Sequence, residues 1–289
     1  MKIRNLFLLL LVLSSSFLEA KLPLQVKKSV VFIFTRDTAN RLQTQGTGFF
    51  VLLRTNQNAD TANFGYLVTT KNTLFRQDGS AIDSLYIRIN RKDGFSDTLI
   101  IPLVQNGLRR YFVHPDSLAD LAIIPAYPDL NRYDVLFTPV NMIAGMDFLK
   151  NEGIVEGDEV FYTGMLSSHF GIFKNIPVVR VGKVVQISDE KYSLGKGYTE
   201  FFLIEAALSD GGIGSPLYYY SPAVKDSGKI TTPATLVLIG IISGKYEENH
   251  ESCLTRVVPA FKLIELINAP EVAAEREKEF ARMKEAKKK

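Results

Sequence analysis

Between residues 21 and 270, the sequence is a succession of short apolar runs separated by glycine, asparagine, aspartate and proline. Examples are 29–35 (SVVFIFT), 48–53 (GFFVLL), 178–187 (VVRVGKVVQI) and 236–243 (LVLIGIIS). The runs are rich in β-branched and aromatic residues, which is typical of strands, and no stretch from 21 to 255 has a long helical period. The pattern therefore predicts an all-β chain that folds as a sandwich or a barrel.

The charge of the chain is concentrated at its two ends. The formal net charge is +3, but basic and acidic residues balance between 21 and 270. A protein that binds nucleic acid needs a basic face to neutralise phosphates, and no run in this region supplies one. We therefore predict that nucleic acid is not a partner. The 289 residues, 46% of them hydrophobic, are enough for one large domain or two small ones.

Residues 1–20 have the layout of a secretory signal peptide. Lys2 and Arg4 precede an apolar run at 6–13, which is shorter than the roughly 20 residues that span a bilayer. We therefore predict that this segment is removed and that the protein is exported to a periplasm or to the cell exterior. The sequence does not fix the cleavage site, because Leu18 is larger than the small residue usual three places before the cut. An uncleaved anchor is the alternative.

The chain has one cysteine, Cys253, and this limits its covalent chemistry. A single cysteine cannot form a disulfide within the chain, and it lies too far from the N-terminus to carry a lipid anchor. An exported domain of this kind must rely on its core for stability. We predict that Cys253 is a small buried apolar side chain rather than a reactive thiol.

Helix is predicted only near the C-terminus. Residues 259–269 carry apolar side chains at three-residue steps, which indicates a short packed helix. Residues 271–289 are strong helix formers with pairs of opposite charge, but their apolar face is thin. This pattern predicts a solvated, charged helical tail. The alternative is contact with a partner or an anionic surface through residues 287–289, and any membrane contact is assigned to this tail.

Five motifs follow one another in a defined order. They are GTGFF at 46–50, GYLVTT at 65–70, HPDSLADLAII at 114–124, GGIGSPL at 211–217 and LIGIISG at 238–244. In order and spacing they resemble the motifs of the bacterial trypsin-like serine peptidases, over roughly residues 27–268. The resemblance implies two six-stranded antiparallel β-barrels with a cleft between them, followed by a C-terminal helix and the charged helical tail.

The limits of the two barrels follow from the same resemblance, and those of the signal peptide and the tail follow from the patterns described above. They are a signal peptide at 1–20, an N-terminal barrel at 21–125, a connection at 126–156, a C-terminal barrel with its closing helix at 157–268, and the tail at 269–289.

The resemblance also implies which residues stand at the catalytic positions. Asn72 occupies the place of the family's histidine, Ile213 occupies the place of its serine, and only Asp120 matches its counterpart. Hydrolysis needs an oxygen nucleophile whose proton passes to an imidazole. An asparagine amide cannot accept that proton, and isoleucine has no nucleophile. We therefore predict a pseudo-peptidase, in which Asp120 is a buried carboxylate hydrogen-bonded to the backbone.

The expected cleft binds a peptide or a protein partner. Besides Asn72 and Asp120, its lining is predicted to comprise Ala207, Gly211, Ile213, Gly214, Ile242, Ser243 and Gly244. The N–H groups of Gly211 and Ile213 would bind a carbonyl oxygen, and an edge strand would pair with an extended peptide. No cofactor or metal is predicted, because His114, His169 and His250 are isolated and no metal-ligand spacing occurs.

Two other functions stay open at this stage. The first is an active hydrolase with a non-standard centre, in which His114 or His169 acts with Ser209 or Ser215. The second is a structural protein of the cell envelope, in which the tail is the functional part and the cleft is vestigial.

Overall fold

The structure is a computed structural model that describes residues 23–286 except 38, 58–59, 77–78, 152, 188–189, 195–196, 210, 227–228 and 247–252. The predicted signal peptide, His250 and residues 287–289 therefore lie outside the described residues.

The first half of the chain is built on one large sheet. Its strands are β1 (Val30–Arg36), β2 (Leu42–Gln57), β3 (Asp60–Thr69), β4 (Ser84–Asn90), β5 (Ser96–Pro102), β6 (Val104–Gln105), β7 (Leu108–Arg109), β8 (Phe112–Val113), β9 (Ala122–Pro125) and β10 (Thr138–Pro139). The hydrogen-bonded order is β5-β4-β1-β2-β3-β9-β8, with β10 parallel to β2. Strands β6 and β7 form a separate hairpin.

The second half forms a closed barrel. Its strands are β11 (Glu159–Gly164), β12 (Val178–Gln186), β13 (Tyr192–Ser193), β14 (Tyr198–Thr199), β15 (Phe202–Glu205), β16 (Pro216–Ser221), β17 (Val224–Asp226), β18 (Lys229–Thr232), β19 (Thr235–Lys245) and β20 (Leu254–Pro259). Six of them close in the order β11-β12-β15-β20-β19-β16, and all their pairings are antiparallel. The predicted six-stranded C-terminal barrel is thus confirmed.

The predicted N-terminal barrel is not confirmed as a closed six-stranded one. Within the described residues, β5 and β8 are the two edge strands of the sheet, and no pairing joins them. The physical reason lies in the chain between these two strands. The small β6–β7 hairpin takes up part of it, and β8 has only two residues, so few backbone groups are left to close the sheet.

Strand β2 is buried on both faces, which explains the uninterrupted apolar run GFFVLL. Because successive side chains of a strand point to opposite faces, Phe49 and Val51 face one way and Phe50 faces the other. Phe49 and Val51 join a core cluster shared with the C-terminal barrel, whereas Phe50 joins a second cluster within the first sheet. The 46–50 motif consequently lies at the junction of the two halves.

Helices occupy the connection and the C-terminal end. They are α1 (Met146–Asn151), α2 (Ala260–Ile267) and α3 (Pro270–Ala286), with short 3-10 turns at Leu24–Lys28, Lys71–Leu74 and Val140–Met142. The packed helix and the helical tail predicted from the sequence are both present. No helix in the described part of the chain is long and apolar enough to cross a membrane.

Two expectations about single elements are wrong. Helix α3 is not simply solvated, because Val272 is only 1% exposed and belongs to the shared core cluster. The thin apolar face of the tail suffices to dock its first turns. Cys253 is exposed rather than buried. It precedes β20 and is held there through its carbonyl, which accepts a hydrogen bond from Ala206 N at 3.1 Å, so its side chain is left outside.

Candidate functional site

Asn72 and Asp120 meet at the end of two neighbouring strands. Strand β3 ends at Thr69, and the 3-10 turn Lys71–Leu74 then carries Asn72, while Asp120 directly precedes the segment that enters β9. The backbone N–H of Asn72 donates to Asp120 Oδ1 at 2.8 Å, and its side-chain Nδ2 donates to Asp120 Oδ2 at 3.0 Å. The buried carboxylate is thus hydrogen-bonded to backbone, as predicted, and to the Asn72 side chain as well.

The surroundings of Asp120 act on its acidity in opposite directions. Burial raises the pKa of its carboxyl above the ordinary 3.8, while the Asn72 N–H groups and the charges of Arg256 and Lys71 work to lower it. Burial is the larger effect, so the pKa of Asp120 is raised overall. Asn72 itself is exposed, so its amide lies between the buried carboxylate and solvent.

The loop before β16 carries Ile213 and is held by backbone hydrogen bonds. Thr47 N donates to Ile213 O at 2.8 Å, and Gly214 N donates to Ile242 O at 2.8 Å. Gly214 has a φ of +86°, and a Cβ there would lie 2.1 Å from Thr47 O. Only glycine fits this position, which accounts for the GIGSP motif.

The N–H groups of Gly211 and Ile213 lie in this loop. Within the part of the chain that the structure describes, neither of them donates a hydrogen bond. The Gly211 carbonyl is fixed, because Thr47 Oγ1 donates to it at 2.6 Å. Asp210, which precedes Gly211, lies outside the described residues.

Thr47 joins the two sides of the site. Its Oγ1 accepts a hydrogen bond from Met165 N at 2.9 Å, and its carbonyl accepts one from Thr69 Oγ1 at 3.0 Å. It therefore contacts the Ile213 loop, the strand that leads to Asn72 and the end of β11. The structure thus brings the 46–50, 65–70 and 211–217 motifs together.

The far wall of the site is formed by β19. Ile242 is buried, and its N–H donates to Ser215 O at 2.9 Å. Ser243 Oγ donates to Arg256 O and accepts from Arg256 Nε, both at 3.1 Å. Gly244 follows at a bulge in the pairing of β19 with β20. Ala207 is exposed, and its carbonyl accepts a hydrogen bond from Tyr162 Oη at 2.5 Å.

Two residues of the site were missed at the sequence level. Thr47 is the second residue of the 46–50 motif, and its hydroxyl links the two sides of the site. Arg256 stands alone in a strand with no motif around it. The sequence carries no signal that its charge would lie near Asp120, 136 positions earlier.

His114 forms its hydrogen bonds with residues outside the Asn72–Asp120 pair. It is buried, its Nδ1 accepts a hydrogen bond from Asp116 N at 3.1 Å, and its Nε2 therefore carries the proton and donates to Glu265 Oε2 at 3.0 Å. Burial is the main cause that lowers the pKa of His114, against the effect of Glu265. Both ring nitrogens are engaged away from Asn72, so His114 is not placed to act as a general base.

The two serines proposed for a non-standard centre form no hydrogen bond with a histidine in the part of the chain that the structure describes. Ser215 is 0% exposed, so its hydroxyl cannot reach a substrate. Ser209 Oγ donates to Met165 O at 3.5 Å. His169 is exposed on the loop after β11, and within the described residues no hydrogen bond joins it to either serine. Nor does any group of three His, Cys, Asp or Glu side chains there form a candidate metal site.

No protein-family model matches the chain, and no curated protein matches it. In structure, it is similar to the MamO protease domain from Magnetospirillum magneticum in its apo form. The TM-score is 0.51 with 18% identity, over 84% of this chain and 98% of that one. The active form of the Rv3671c protease from M. tuberculosis gives a TM-score of 0.46 with 15% identity, over 84% of this chain and 80% of that one. The first likeness establishes the fold, which is that of the trypsin-like serine peptidases.

Proposed function

We propose that the chain is an exported, catalytically inactive homologue of the trypsin-like serine peptidases, which binds a peptide or a protein partner in its cleft. One observation carries the proposal: the hydrogen bonds from Asn72 to Asp120. By the resemblance, Asp120 is the carboxylate that orients an imidazole in an active enzyme, and here a side-chain amide donates to it instead. An amide nitrogen cannot accept a proton from a nucleophile, and Ile213 provides no nucleophile.

The cleft retains groups that recognise a peptide backbone. The N–H groups of Gly211 and Ile213, which donate no hydrogen bond within the described residues, suit a carbonyl oxygen. Pairing of β16 with β19 ends at Ile241, so Ser243 and Gly244 continue β19 past the end of its partner. A bulge also leaves Ser243 unpaired with β20. An extended peptide that adds a strand at this edge would gain main-chain hydrogen bonds.

A fluorophosphonate probe, which labels activated serines, tests the loss of catalysis. The wild-type chain is compared with the double variant Asn72→His and Ile213→Ser. We expect that only the double variant is labelled, because it restores a proton acceptor beside Asp120 and an oxygen nucleophile on the opposite loop. Each single variant is a matched control and should stay unlabelled, because either one alone lacks half of the pair.

Labelling of the wild-type chain would contradict the proposal. Ser209→Ala and Ser215→Ala variants would then identify the nucleophile, and the active-hydrolase hypothesis would take first place. If the double variant stays unlabelled while folded, the assignment of Asn72 and Ile213 to the catalytic positions is wrong. If peptide arrays also give no signal above background with the wild-type chain, the binding role loses its support.

A further inference from the structure

The loop between β11 and β12 exposes apolar side chains at its tip. Ile172 is 88% exposed and Phe173 is 66% exposed. Phe95, in the turn between β4 and β5, is 52% exposed, and its ring centroid lies 6.0 Å from that of Phe173 in an edge-to-face arrangement. We call Phe95, Ile172 and Phe173 the apolar tip. Side chains this exposed project from the surface rather than line a groove.

The carbonyl groups of the apolar tip are already hydrogen-bonded. The guanidinium of Arg88 donates to Gly171 O at 2.7 Å and to Ile172 O at 2.8 Å. Ser96 Oγ donates to Phe173 O at 2.9 Å. An apolar medium penalises unpaired backbone polar groups, and here that penalty has largely been removed in advance.

The loop is also fixed in position by Asn175, which is buried. Its backbone N–H donates to Asn90 Oδ1 at 2.7 Å, and its Nδ2 donates to Arg88 O at 2.6 Å. Beneath the tip, the guanidinium of Arg88 lies 5.4 Å from the ring centroid of Phe170. The exposure of Ile172 and Phe173 therefore belongs to a pre-organised structure, and burying them elsewhere would break these bonds.

The surroundings of the apolar tip are positively charged. Lys174 lies within the loop and Lys92 in the β4–β5 turn. Both are exposed, and neither forms an ion pair with any residue that the structure describes. The nearby carboxylates are neutralised, since Asp93 pairs with Arg91, and Asp97 pairs with Arg91 at 3.4 Å and with Arg132 at 2.5 Å. Two unpaired ammonium groups thus flank the exposed apolar side chains.

We propose that the apolar tip docks this protein on the surface of an anionic lipid bilayer. Ile172, Phe173 and Phe95 enter the interface between headgroups and acyl chains, while Lys92 and Lys174 bind anionic headgroups. A projecting tip with paired carbonyls and flanking cations matches a bilayer better than it matches the concave site of a protein partner. The docking site is distinct from the tail, where sequence analysis placed any membrane contact.

Vesicle flotation tests this inference on a chain that starts at Lys21. Such a chain contains every described element but lacks the apolar run at 6–13, which would itself bind lipid. The vesicles are phosphatidylcholine alone or phosphatidylcholine with phosphatidylglycerol. We expect binding to the anionic vesicles. The double variant Ile172→Ser and Phe173→Ser should weaken it about tenfold or more, because two apolar side chains no longer enter the interface.

Two further variants distinguish lipid binding through the apolar tip from nonspecific adsorption of the protein to vesicles. Lys92→Glu with Lys174→Glu should weaken binding to anionic vesicles by about tenfold and abolish its salt dependence. Leu108→Ser with Ile230→Ser removes side chains that are 70% and 61% exposed outside the tip, and it should bind like wild type. Circular dichroism checks that all variants are folded.

The inference is overturned if the wild-type chain floats with neither kind of vesicle. The apolar tip would then be interpreted as a contact surface for a protein partner. The inference is also overturned if the Leu108 and Ile230 variant loses as much binding as the Ile172 and Phe173 variant does. These outcomes do not depend on the cleft, because no cleft residue is changed.

Discussion

At the scale of single residues, Asn72 keeps one property of a catalytic histidine and lacks another. Its Nδ2 donates to Asp120 as an imidazole N–H would, so the buried carboxylate keeps a hydrogen-bond donor. A buried carboxylate without donors is costly, so the Asn72 amide supplies a hydrogen bond that Asp120 needs. What the amide lacks is basicity, and the proposed loss of catalysis rests on that lack.

Replacing Asn72 by alanine should destabilise the protein in a pH-dependent way. The variant loses one donor to Asp120, and we expect a loss of about 1–3 kcal/mol in the free energy of unfolding at neutral pH. The folded-state pKa of Asp120 is raised above 3.8, so its contribution to stability is full below 3.8 and is lost as the pH rises through the folded-state pKa. The loss should therefore shrink as the pH falls towards 3.8 and Asp120 becomes protonated.

Urea titrations at neutral and acidic pH measure this effect. Asn72→His, which can still donate to Asp120, is the matched control and should remain closer to wild type at neutral pH. An Asn72→Ala loss that is equal at both pH values would mean that Asp120 is not the group affected.

At the scale of elements, helix α2 is bound to the first half of the chain by a buried ammonium group. Lys262 is 3% exposed, and its Nζ lies 2.7 Å from Glu200 Oε2 and 3.2 Å from Asp116 Oδ2. Although partial burial works the other way, hydrogen bonds from Thr199 and Leu118 N, together with Lys262, lower the pKa of Asp116 to about 2. This cluster joins the segment before Asp120 to the C-terminal barrel.

Lys262→Met should lower the free energy of unfolding by about 3 kcal/mol at neutral pH, because it leaves two carboxylates facing each other without their cation. The depressed pKa of Asp116 contributes stability above 3.8 that is lost as the pH falls through about 2. The deficit of the variant should therefore diminish over the same range. Urea titration from neutral to acidic pH measures it.

Lys278→Met is the matched control for that experiment. Lys278 is 68% exposed and lies 3.9 Å from Glu275, so its loss should cost no more than about 0.5 kcal/mol. Equal losses for the two lysine variants would contradict a special role for Lys262.

At the scale of the whole molecule, helix α3 is part of the fold for most of its length. Val272 enters the shared core, Phe280 packs against it, and Arg276 donates to Tyr66 Oη at 3.2 Å. Arg110 of the first half also pairs with Glu275 at 3.3 Å. Deleting the entire tail would therefore damage the core and could not isolate a function of the tail.

A shorter truncation separates cleft binding from tail binding. A chain that ends at Arg282 keeps the contacts of Val272, Glu275, Arg276 and Phe280, so its urea midpoint should stay near that of wild type. If the cleft holds the partner, this chain should also retain peptide-array binding. Loss of binding with an unchanged midpoint would instead favour the structural hypothesis, in which the tail is the functional part.

The sequence by itself was enough to predict most strands, the C-terminal helices and the candidate site residues Asn72, Asp120 and Ile213. These properties are local: a strand shows in its run of β-branched and aromatic residues, and a motif shows in its spacing. That is why a resemblance carried by short motifs led to the right fold.

Only the tertiary structure decided whether the first sheet closes, which charge lies near Asp120 and which apolar side chains stay outside. Arg256, Lys262 and Ile172 have no local signature, because their partners are distant in sequence. Sheet closure likewise depends on whether short strands such as β8 leave enough backbone groups to pair across the gap. Contacts between distant residues therefore determined both the details of the candidate cleft and the exposed tip.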